Sequence, residues 1–444
     1  MRTATCSEHR TMTRKKINVR RAAVGSLIAF SKQGKYTNLE VASFLSKSDL
    51  SDADKRLYTN LVYGTAERIP TLDHIITRLS SRPIETTDIE TLTCLRLGLY
   101  QLLYTDKIPD HAAVSETVDA SPARSKGYVN AVLRQFIRNG KKYDLPPEDN
   151  TALYMSVRYS CPVGMCEFLI SKLGADIASK IACESVSERP VTLRVNTIVT
   201  DAETLLKNKF PDCEVNPLFG DMIDVRSLGG TDMESPEFFV QDAASRLAVA
   251  ALSPEAGEFI IDVCAAPGGK TFSAAIDMKD QGRVLSFDLH ANKISLIKSG
   301  AAKLGLSIVE AYARDAGDPD PSLARSADRV ICDAPCSGLG VMAKKPDIKY
   351  KDVSEFERLP AVQLRVLSGA ATYLKPGGVM VYSTCTLNPD ENEGVVKAFL
   401  DEDDDFELVP FTAGGIASEK GMLTLFPFEH GTDGFFIAKL MRKQ

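Results

Sequence analysis

The chain has 444 residues, of which 44% are hydrophobic and 25% are charged. This length allows several domains, and this composition excludes disordered, collagenous and small disulfide-stapled proteins. The formal net charge of −6 also excludes a protein that binds nucleic acid through a globally basic surface. Any contact with nucleic acid must therefore come from local basic patches.

The ten cysteines include no Cys-x-x-Cys pair, and the chain has five histidines. We therefore expect no metal site and free, reduced thiols. No stretch approaches the roughly 18 uninterrupted apolar residues of a membrane-spanning helix, and no secretory signal is recognisable. The sequence thus predicts a cytoplasmic protein without membrane contact, which we expect to be a monomer.

The first 35 residues are strongly basic, with Glu8 as their single acid. We expect residues 1–13 to form a flexible basic arm, either a solvated end or residues that precede a true start at Met12. A transit peptide is the alternative interpretation, and RNA contact would be a further role. The basic residues of this segment are Arg2, Arg10, Arg14, Lys15, Lys16, Arg20, Arg21, Lys32 and Lys35.

Residues 14–142 show helical periodicity nearly throughout, which predicts an all-α domain. Residues 143–235 mix short elements with turn signals, and we expect a small α/β subdomain with a strand at 191–195. The apolar residues at helical spacing are Leu92, Leu95, Leu99, Leu102, Leu103, Val129, Val132, Leu133, Phe136 and Ile137.

From residue 236 to residue 444, apolar strand-like runs alternate with helical segments. Such alternation is typical of parallel strands joined by crossover helices. We therefore predict a doubly wound, Rossmann-like α/β domain. The strand-like runs lie at 259–263, 284–287, 330–332, 379–382 and 435–440.

A glycine-rich turn at 264–270 follows the first of these strands and precedes a helix. It is not a phosphate-binding P-loop, because Cys264 stands where that motif requires glycine. It is not a dinucleotide fingerprint either, because Gly268 and Gly269 are adjacent and no spaced third glycine follows. A nucleoside-type ligand remains, and such a ligand favours an acid on its ribose about 20 residues past the loop, where Asp288 closes the second strand.

Two cysteines follow two later strands of the predicted sheet. Cys336 lies in the turn after 330–332, close to Asp333, and Cys385 follows 379–382. Ligands of open parallel sheets bind beyond the carboxyl ends of the strands, so we expect both thiols to meet Asp333, Asp262 and Asp288 in one crevice. Two other cysteines, at 264 and 332, are expected to be chemically inert.

These segments resemble known motifs of RNA cytosine-C5 methyltransferases. The resemblance is carried by Asp-Val-Cys-Ala-Ala-Pro-Gly-Gly-Lys-Thr at 262–271, Asp-Ala-Pro-Cys-Ser-Gly-Leu-Gly at 333–340 and Ser-Thr-Cys-Thr at 383–386. Segments 95–104, 111–114 and 129–134 resemble the NusB-like RNA-binding domain that precedes the catalytic domain in the 16S rRNA methyltransferase B family. Segments 193–197, 240–245 and 433–438 are similar to that family as well.

The resemblance implies a site for S-adenosylmethionine and a covalent mechanism on cytosine. By the family pattern, Cys385 is the nucleophile that adds to cytosine C6, and Cys336 helps to release the methylated product. Asp333 is suited to position the base and also lies at the cofactor, while Lys270 would contact either the methionine end or the base. The implied cofactor-binding residues are Cys264, Ala265, Ala266, Pro267, Gly268, Gly269, Lys270, Asp288, Asp315 and Asp333.

The implied partner is 16S rRNA, and its contacts must be local because the chain is acidic. We expect one basic patch at Lys344, Lys345 and Lys349, beside the catalytic turn. Lysine there keeps the charge but lacks the bidentate geometry of arginine, which the family more often has. Further contacts are expected from Arg20, Arg21, Arg96, Arg124, Lys126 and Arg134 of the helical domain.

Two alternative functions stay open at this point. One is cytosine-C5 methylation of tRNA or of another rRNA site. The other is a non-catalytic RNA-binding or ribosome assembly factor whose methyltransferase domain has decayed. The presence of both cysteines, the glycine loop and the acids disfavours decay.

Overall fold

The computed structural model describes residues 17–33 and 37–444. The basic arm expected at 1–13 lies outside these residues. The chain divides into two compact units, 1–161 and 162–444. None of the helices in the described part is long and apolar enough to cross a membrane.

The first unit is built from α-helices, and its central helix is α5. Asp88 caps the start of this helix by accepting a hydrogen bond from the Thr91 backbone N–H. A Cβ on Gly98 would lie 2.6 Å from a methyl carbon of Leu133, so glycine here lets two helices approach closely. The helices are α1 (Val19–Gln33), α2 (Thr37–Lys47), α3 (Asp52–Glu67), α4 (Ile69–Leu79), α5 (Ile89–Tyr104), α6 (Asp110–Ala120), α7 (Lys126–Arg138) and α8 (Thr151–Tyr159).

The second unit begins with two helices and a small antiparallel sheet. The order of strands in this sheet is β2-β3-β1-β4, and its core contains Leu193, Ile223 and Phe238. The elements are α9 (Val163–Leu173), α10 (Ala175–Glu184), β1 (Val191–Val195), α11 (Ala202–Lys209), β2 (Glu214–Val215), β3 (Met222–Val225) and β4 (Phe238–Val240).

A larger sheet of eight strands follows, with the order β10-β14-β9-β8-β5-β6-β7 and β13 paired to β14. Strands β11 and β12 form a separate hairpin. The strands are β5 (Phe259–Asp262), β6 (Arg283–Asp288), β7 (Val309–Ala313), β8 (Ala327–Asp333), β9 (Leu374–Thr384), β10 (Phe406–Leu408), β11 (Phe411–Ala413), β12 (Ile416–Ser418), β13 (Met422–Leu425) and β14 (Phe435–Arg442). The helices are α12 (Ala243–Leu252), α13 (Gly269–Asp277), α14 (Ala291–Leu304), α15 (Leu359–Ala371), α16 (Glu393–Glu402) and α17 (Pro427–His430).

Helices cover both faces of this sheet, as the doubly wound prediction requires. Ile260 packs on the side of α12, α13 and α14, whereas its neighbour Ile261 packs on the side of α15 and α16. This alternation follows from the two-residue period of a strand. The fold class predicted from the sequence is confirmed.

The last strand differs from the prediction of parallel strands throughout. β14 runs antiparallel to β9, with Tyr382 opposite Ala438. The crossover helix α16 leads into β10, and β14 then inserts between β10 and β9 in the opposite direction. The alternation of strands and helices predicts which elements form, but not the position and direction that the last strand takes in the sheet.

The order of the central strands fixes the position of the ligand crevice. From β5 the chain proceeds to β6 and β7 on one side, and then crosses to β8 and β9 on the other. These five strands are parallel. Ligands of such sheets bind where the strand order reverses, outside the carboxyl ends of the strands. The segments after β5, β6, β8 and β9 therefore meet at one edge.

Candidate active site

The turn after β5 is tightly held and brings its backbone to the edge of the sheet. The backbone N–H of Ala265 donates to the carbonyl oxygen of Phe287 at 2.7 Å. Gly268 has a φ of +117°, and a Cβ there would lie 2.2 Å from the ring of Phe272. Only glycine meets both requirements, so Gly268 lets the turn pack closely against Phe272.

A cavity of about 300 Å³ lies above this turn. Most of the residues predicted for the cofactor loop line it, together with Asp262 and Asp333, whereas Gly268 stands behind it. The lining residues are Val240, Gln241, Asp242, Ser245, Asp262, Cys264, Ala265, Ala266, Pro267, Gly269, Lys270, Asp333 and Lys345.

Two buried acceptor atoms in the wall of this cavity fit a positively charged ligand group. Asp262 accepts a hydrogen bond from the Thr271 hydroxyl at 2.7 Å through one carboxylate oxygen. Its other oxygen, Oδ1, and Oε1 of Gln241 are buried and receive no hydrogen bond from the described residues. Burial raises the pKa of Asp262 to about 7, and an ammonium group of a ligand would stabilise the ionised carboxylate.

Asp288 and Asp315 lie at the ends of the next two strands rather than in this cavity. Asp288 closes β6 and accepts a hydrogen bond from the backbone N–H of His290 at 3.0 Å. Asp315 follows β7. The backbone N–H of Gly317 lowers the pKa of its carboxyl, and Arg365 lowers it further. The two acids extend the edge away from the cavity, so a ligand that reaches them must be elongated.

The two predicted catalytic thiols lie side by side. Cys336 is in the turn after β8 and Cys385 follows β9, with 3.3 Å between their Sγ atoms. Either sulfur can donate in this hydrogen bond; with Cys336 as the donor, the bond lowers the pKa of Cys385. The same bond, together with burial, raises the pKa of Cys336. The pair therefore favours a thiolate on Cys385 and a protonated thiol on Cys336.

A lysine and an aspartate form an ion pair beside the thiols. Lys270 Nζ lies 2.7 Å from a carboxylate oxygen of Asp333, and the Ser383 hydroxyl donates to the other oxygen at 2.8 Å. The ammonium also lies 5.0 Å from the ring centre of Phe435. The hydrogen bond with Cys336 lowers the pKa of Cys385 most, and the positive charge of Lys270 lowers it further. Asp333 thus joins the cavity to the thiol pair.

The basic patch predicted after the catalytic turn does not form as expected. The short helix Pro346–Tyr350 turns Lys349 inward, and its side chain is 1% exposed. Lys344 bridges Asp242 and Asp433, at 2.6 and 2.8 Å. Lys344 and Lys345 both stay exposed, but the charge of Lys344 is paired with these carboxylates, whereas Lys345 lines the cavity. Nearby carboxylates and a local turn, which lysine spacing does not report, account for the difference.

Two of the six basic residues assigned to RNA contact in the helical unit hold that unit together instead. Arg96 forms two hydrogen bonds with Asp73, at 2.6 and 2.7 Å. Arg20 donates to the side chain of Gln101 at 2.9 Å and is mostly buried. Arg21, Arg124, Lys126 and Arg134 lie at or near the surface.

The sequence reasoning did not assign Gln241, Asp242 or Ser383 to the site. Gln241 donates to the carbonyl oxygen of Gly269 at 2.9 Å, which ties the segment after β4 to the cofactor turn. Asp242 caps the start of α12. The sequence signal that could identify Gln241 and Asp242 is a pair of polar residues between a strand and a helix. Ser383 adjoins Cys385 but carries no comparable signal.

Two family models match the chain. Residues 249–441 match the model described as 16S rRNA methyltransferase RsmB/F, and residues 17–138 match the NusB family. The first covers the large sheet and its site, and the second covers most of the helical unit.

Curated relatives match along nearly the whole chain. The "Probable ribosomal RNA small subunit methyltransferase B" of Bacillus subtilis is 36% identical, and the match covers 97% of this chain and all of the relative. The protein with the same name from Synechocystis is 32% identical over 96% of this chain and all of the relative. The "Ribosomal RNA small subunit methyltransferase B" of Escherichia coli O1:K1 is 32% identical, with 97% and 100% covered.

Solved structures share the fold of the second unit. A methyltransferase homologue from Pyrococcus horikoshii has a TM-score of 0.57 and 28% identity, and covers 67% of this chain and all of its own. NSun6 from the same organism has a TM-score of 0.56 at 22% identity, with 64% and 98% covered. With relatives over 30% identical along their full length, the chain belongs to the 16S rRNA methyltransferase RsmB/F family and is a methyltransferase that uses S-adenosylmethionine.

Proposed function

We propose that the chain transfers a methyl group from S-adenosylmethionine to C5 of a cytosine in 16S rRNA, through a covalent bond between Cys385 and C6 of the base. The observation that carries this proposal is the thiol pair, with 3.3 Å between its sulfur atoms. The hydrogen bond within the pair lowers the pKa of one thiol and raises that of the other. A lone buried cysteine would have neither a neighbouring thiol to stabilise its thiolate nor a nearby proton donor.

Each step of this reaction has a residue suited to it. The Cys385 thiolate adds to C6, which makes the otherwise weak nucleophile C5 electron-rich. Asp333 accepts a hydrogen bond from the cytosine edge, which favours a protonated N3. After methylation, solvent water takes the C5 proton, the electron pair of that C–H bond forms the C5–C6 double bond, and the electron pair of the bond between sulfur and C6 returns to Cys385 as a thiolate. In this proposal the thiol of Cys336 donates a hydrogen bond to the departing thiolate.

The residues at the cavity suit S-adenosylmethionine, which when bound supplies an electrophilic methyl group. Asp262 and Gln241 offer buried acceptors to its ammonium, and the turn around Gly268 leaves space for it. In this proposal Asp288, at the end of β6, holds the ribose, and Asp315, after β7, lies on the adenine side. Lys270 forms an ion pair with Asp333. In this proposal it helps to orient the cytosine base in the site.

The choice of 16S rRNA rests on the relatives, whose names state the small ribosomal subunit. Exposed basic residues of the helical unit supply phosphate contacts in this proposal, with Arg124 and Lys126 as candidates. Because extrusion of a stacked base costs a few kcal/mol, a single-stranded or loop cytosine is the preferred target.

The direct test supplies labelled S-adenosylmethionine and unmodified 16S rRNA, and maps the product by bisulfite sequencing. We expect one protected cytosine and label incorporated into the rRNA. Absence of transfer, under conditions where the cofactor binds, would contradict the enzymatic function. Transfer to tRNA alone would contradict the substrate.

We also propose that the chain acts in the cytoplasm as a monomer. The paired thiols Cys336 and Cys385 and the exposed Cys183 are free thiols, which fits a reducing compartment. Light scattering of the purified protein tests the monomer, and fractionation of cells tests the location.

A further inference from the structure

One buried acid takes no part in the steps above and is hydrogen-bonded to the turn that carries Cys336. Glu391 is in the segment between β9 and α16, and its side chain is fully buried. Its carboxylate accepts hydrogen bonds from the Ser337 backbone N–H at 2.8 Å, from Gln363 at 2.9 Å and from Asn388 at 3.1 Å. Ser337 is the residue that follows Cys336.

The three donors identify Glu391 as an ionised carboxylate. Gln363 cannot be turned around, because its amide N–H₂ also donates to the carbonyl oxygen of Pro335 at 2.9 Å. The backbone N–H of Ser337 is always a donor. A protonated carboxyl needs an acceptor for its own hydrogen, whereas an ionised carboxylate accepts all three bonds.

The same segment also holds the turn that carries Cys385. The Thr386 hydroxyl lies 2.6 Å from the hydroxyl of Ser337. Asn392 donates to the carbonyl oxygen of Thr386 at 3.1 Å, and the Tyr382 hydroxyl donates to the carbonyl oxygen of Glu391 at 2.6 Å. Both cysteine turns are therefore fastened to one buried polar segment.

A buried carboxylate bound by neutral donors is expensive to keep, because the amides do not compensate its charge. A neutral amide at this position would accept at one end and set its own N–H₂ against a donor at the other, so the surroundings are built for a carboxylate. The hydrogen bond from Cys336 to Cys385 and burial raise the pKa of Cys336, and the negative charge of Glu391 acts in the same direction. The charge therefore opposes ionisation of Cys336.

We propose that Glu391 is a positioning residue whose negative charge keeps the shared proton of the thiol pair on Cys336 and so reserves the thiolate for Cys385. The inference rests on the proposed function, because it explains how two adjacent thiols keep separate roles. The other charged or titratable groups that face the pair are Lys270, Lys345, Asp333 and Tyr382.

The experiment measures alkylation of both cysteines by iodoacetamide in the full chain, without RNA, with the site of label read by mass spectrometry. Wild type should label Cys385 at least about tenfold faster than Cys336 at neutral pH, the equivalent of about one pKa unit. Glu391→Gln should narrow this ratio by about tenfold. Glu391→Asp, which keeps the charge, should retain the preference for Cys385.

Glu393→Gln is the matched control, because Glu393 is an exposed acid two residues further on, at the start of α16, and its replacement should leave the ratio unchanged. Thermal melting and binding of S-adenosylmethionine verify the fold of each variant. If Glu391→Gln does not fold, Glu391→Asp still tests the inference. A role of Glu391 in shape alone predicts that the shorter aspartate abolishes the preferential labelling of Cys385.

Retention of the ratio in a folded Glu391→Gln, or its loss in a folded Glu391→Asp, would overturn the inference. Faster labelling of Cys336 in wild type would instead contradict the roles assigned to the thiols in the proposed function. The two failures are distinguishable because the first appears only in the variants and the second in the unmodified protein.

Discussion

Two pairs of cysteines lie at neighbouring strands of one sheet, and of these four thiols Cys385 alone has a lowered pKa. Cys336 and Cys385 lie in turns beyond the strands, and the hydrogen bond between them lowers the pKa of Cys385. Cys332 lies within β8 and Cys264 in the turn after β5. Burial, followed by nearby carboxylates, raises the pKa of Cys264, and burial raises that of Cys332.

The difference shows that position along the strand does not by itself make a thiol reactive. Cys264 lines the cofactor cavity and yet has a raised pKa. It has acids as neighbours, whereas Cys385 has a thiol donor and two lysines. A thiolate is stabilised by hydrogen-bond donors and positive charges and destabilised by carboxylates and burial.

The largest expected effect comes from Cys385→Ala. Without the sulfur that adds to C6, methyl transfer should fall by at least about 10⁴-fold, while binding of S-adenosylmethionine is retained. The measurement is incorporation of labelled methyl into 16S rRNA. Cys183→Ala, at an exposed cysteine of α10, is the control and should transfer at the wild-type rate.

A smaller effect with two opposite signs is expected from Asp333→Asn. The charge of Asp333 raises the pKa of Cys385, so its removal should speed alkylation of Cys385 below pH 8. Methyl transfer should nevertheless fall by about 10²-fold, because the amide keeps an acceptor oxygen but loses the negative charge that favours a protonated N3. Parallel changes in the two rates would show that Asp333 acts through the thiol alone.

Replacement of the second pair should affect stability more than catalysis. Cys332→Ala removes a fully buried sulfur and should lower the free energy of unfolding by about 1 kcal/mol, as measured by urea denaturation. Methyl transfer by Cys264→Ala and by Cys332→Ala should stay within about threefold of wild type. Loss of transfer in Cys332→Ala without loss of stability would break the comparison between the pairs.

The smallest expected effect comes from Lys345→Ala. The hydrogen bond from Cys336 contributes most to the low pKa of Cys385, and Lys345 contributes less. Because Lys345 is exposed, its charge is screened, and alkylation of Cys385 at pH 7 should slow by about twofold. Added salt should reduce the wild-type rate in the same direction and have less effect on the variant.

The sequence predicted the parts of the site that follow regular strands. Cys336 and Cys385 were placed together because parallel strands end at one edge, and the turn around Gly268 was recognisable from its glycines. Sequence reasoning assigned Lys349 to the surface, but the helical turn at Pro346–Tyr350 buries it. Charge spacing does not report such local turns.

Other features depended on long-range pairing that a single sequence does not encode in its periodicity. The direction of β14 follows from its insertion between β10 and β9. Glu391 is missed because an acid in a short loop resembles a solvated turn residue. Only the approach of Ser337 and Gln363 from other elements shows that it is a buried acceptor.

The division of labour between the two thiols is tested most directly by the Cys336→Ala variant with 16S rRNA and S-adenosylmethionine. The account predicts that a covalent complex of protein and RNA accumulates, and that peptide mapping finds the RNA on Cys385. Accumulation of the complex in Cys385→Ala instead, with the RNA on Cys336, would contradict the account.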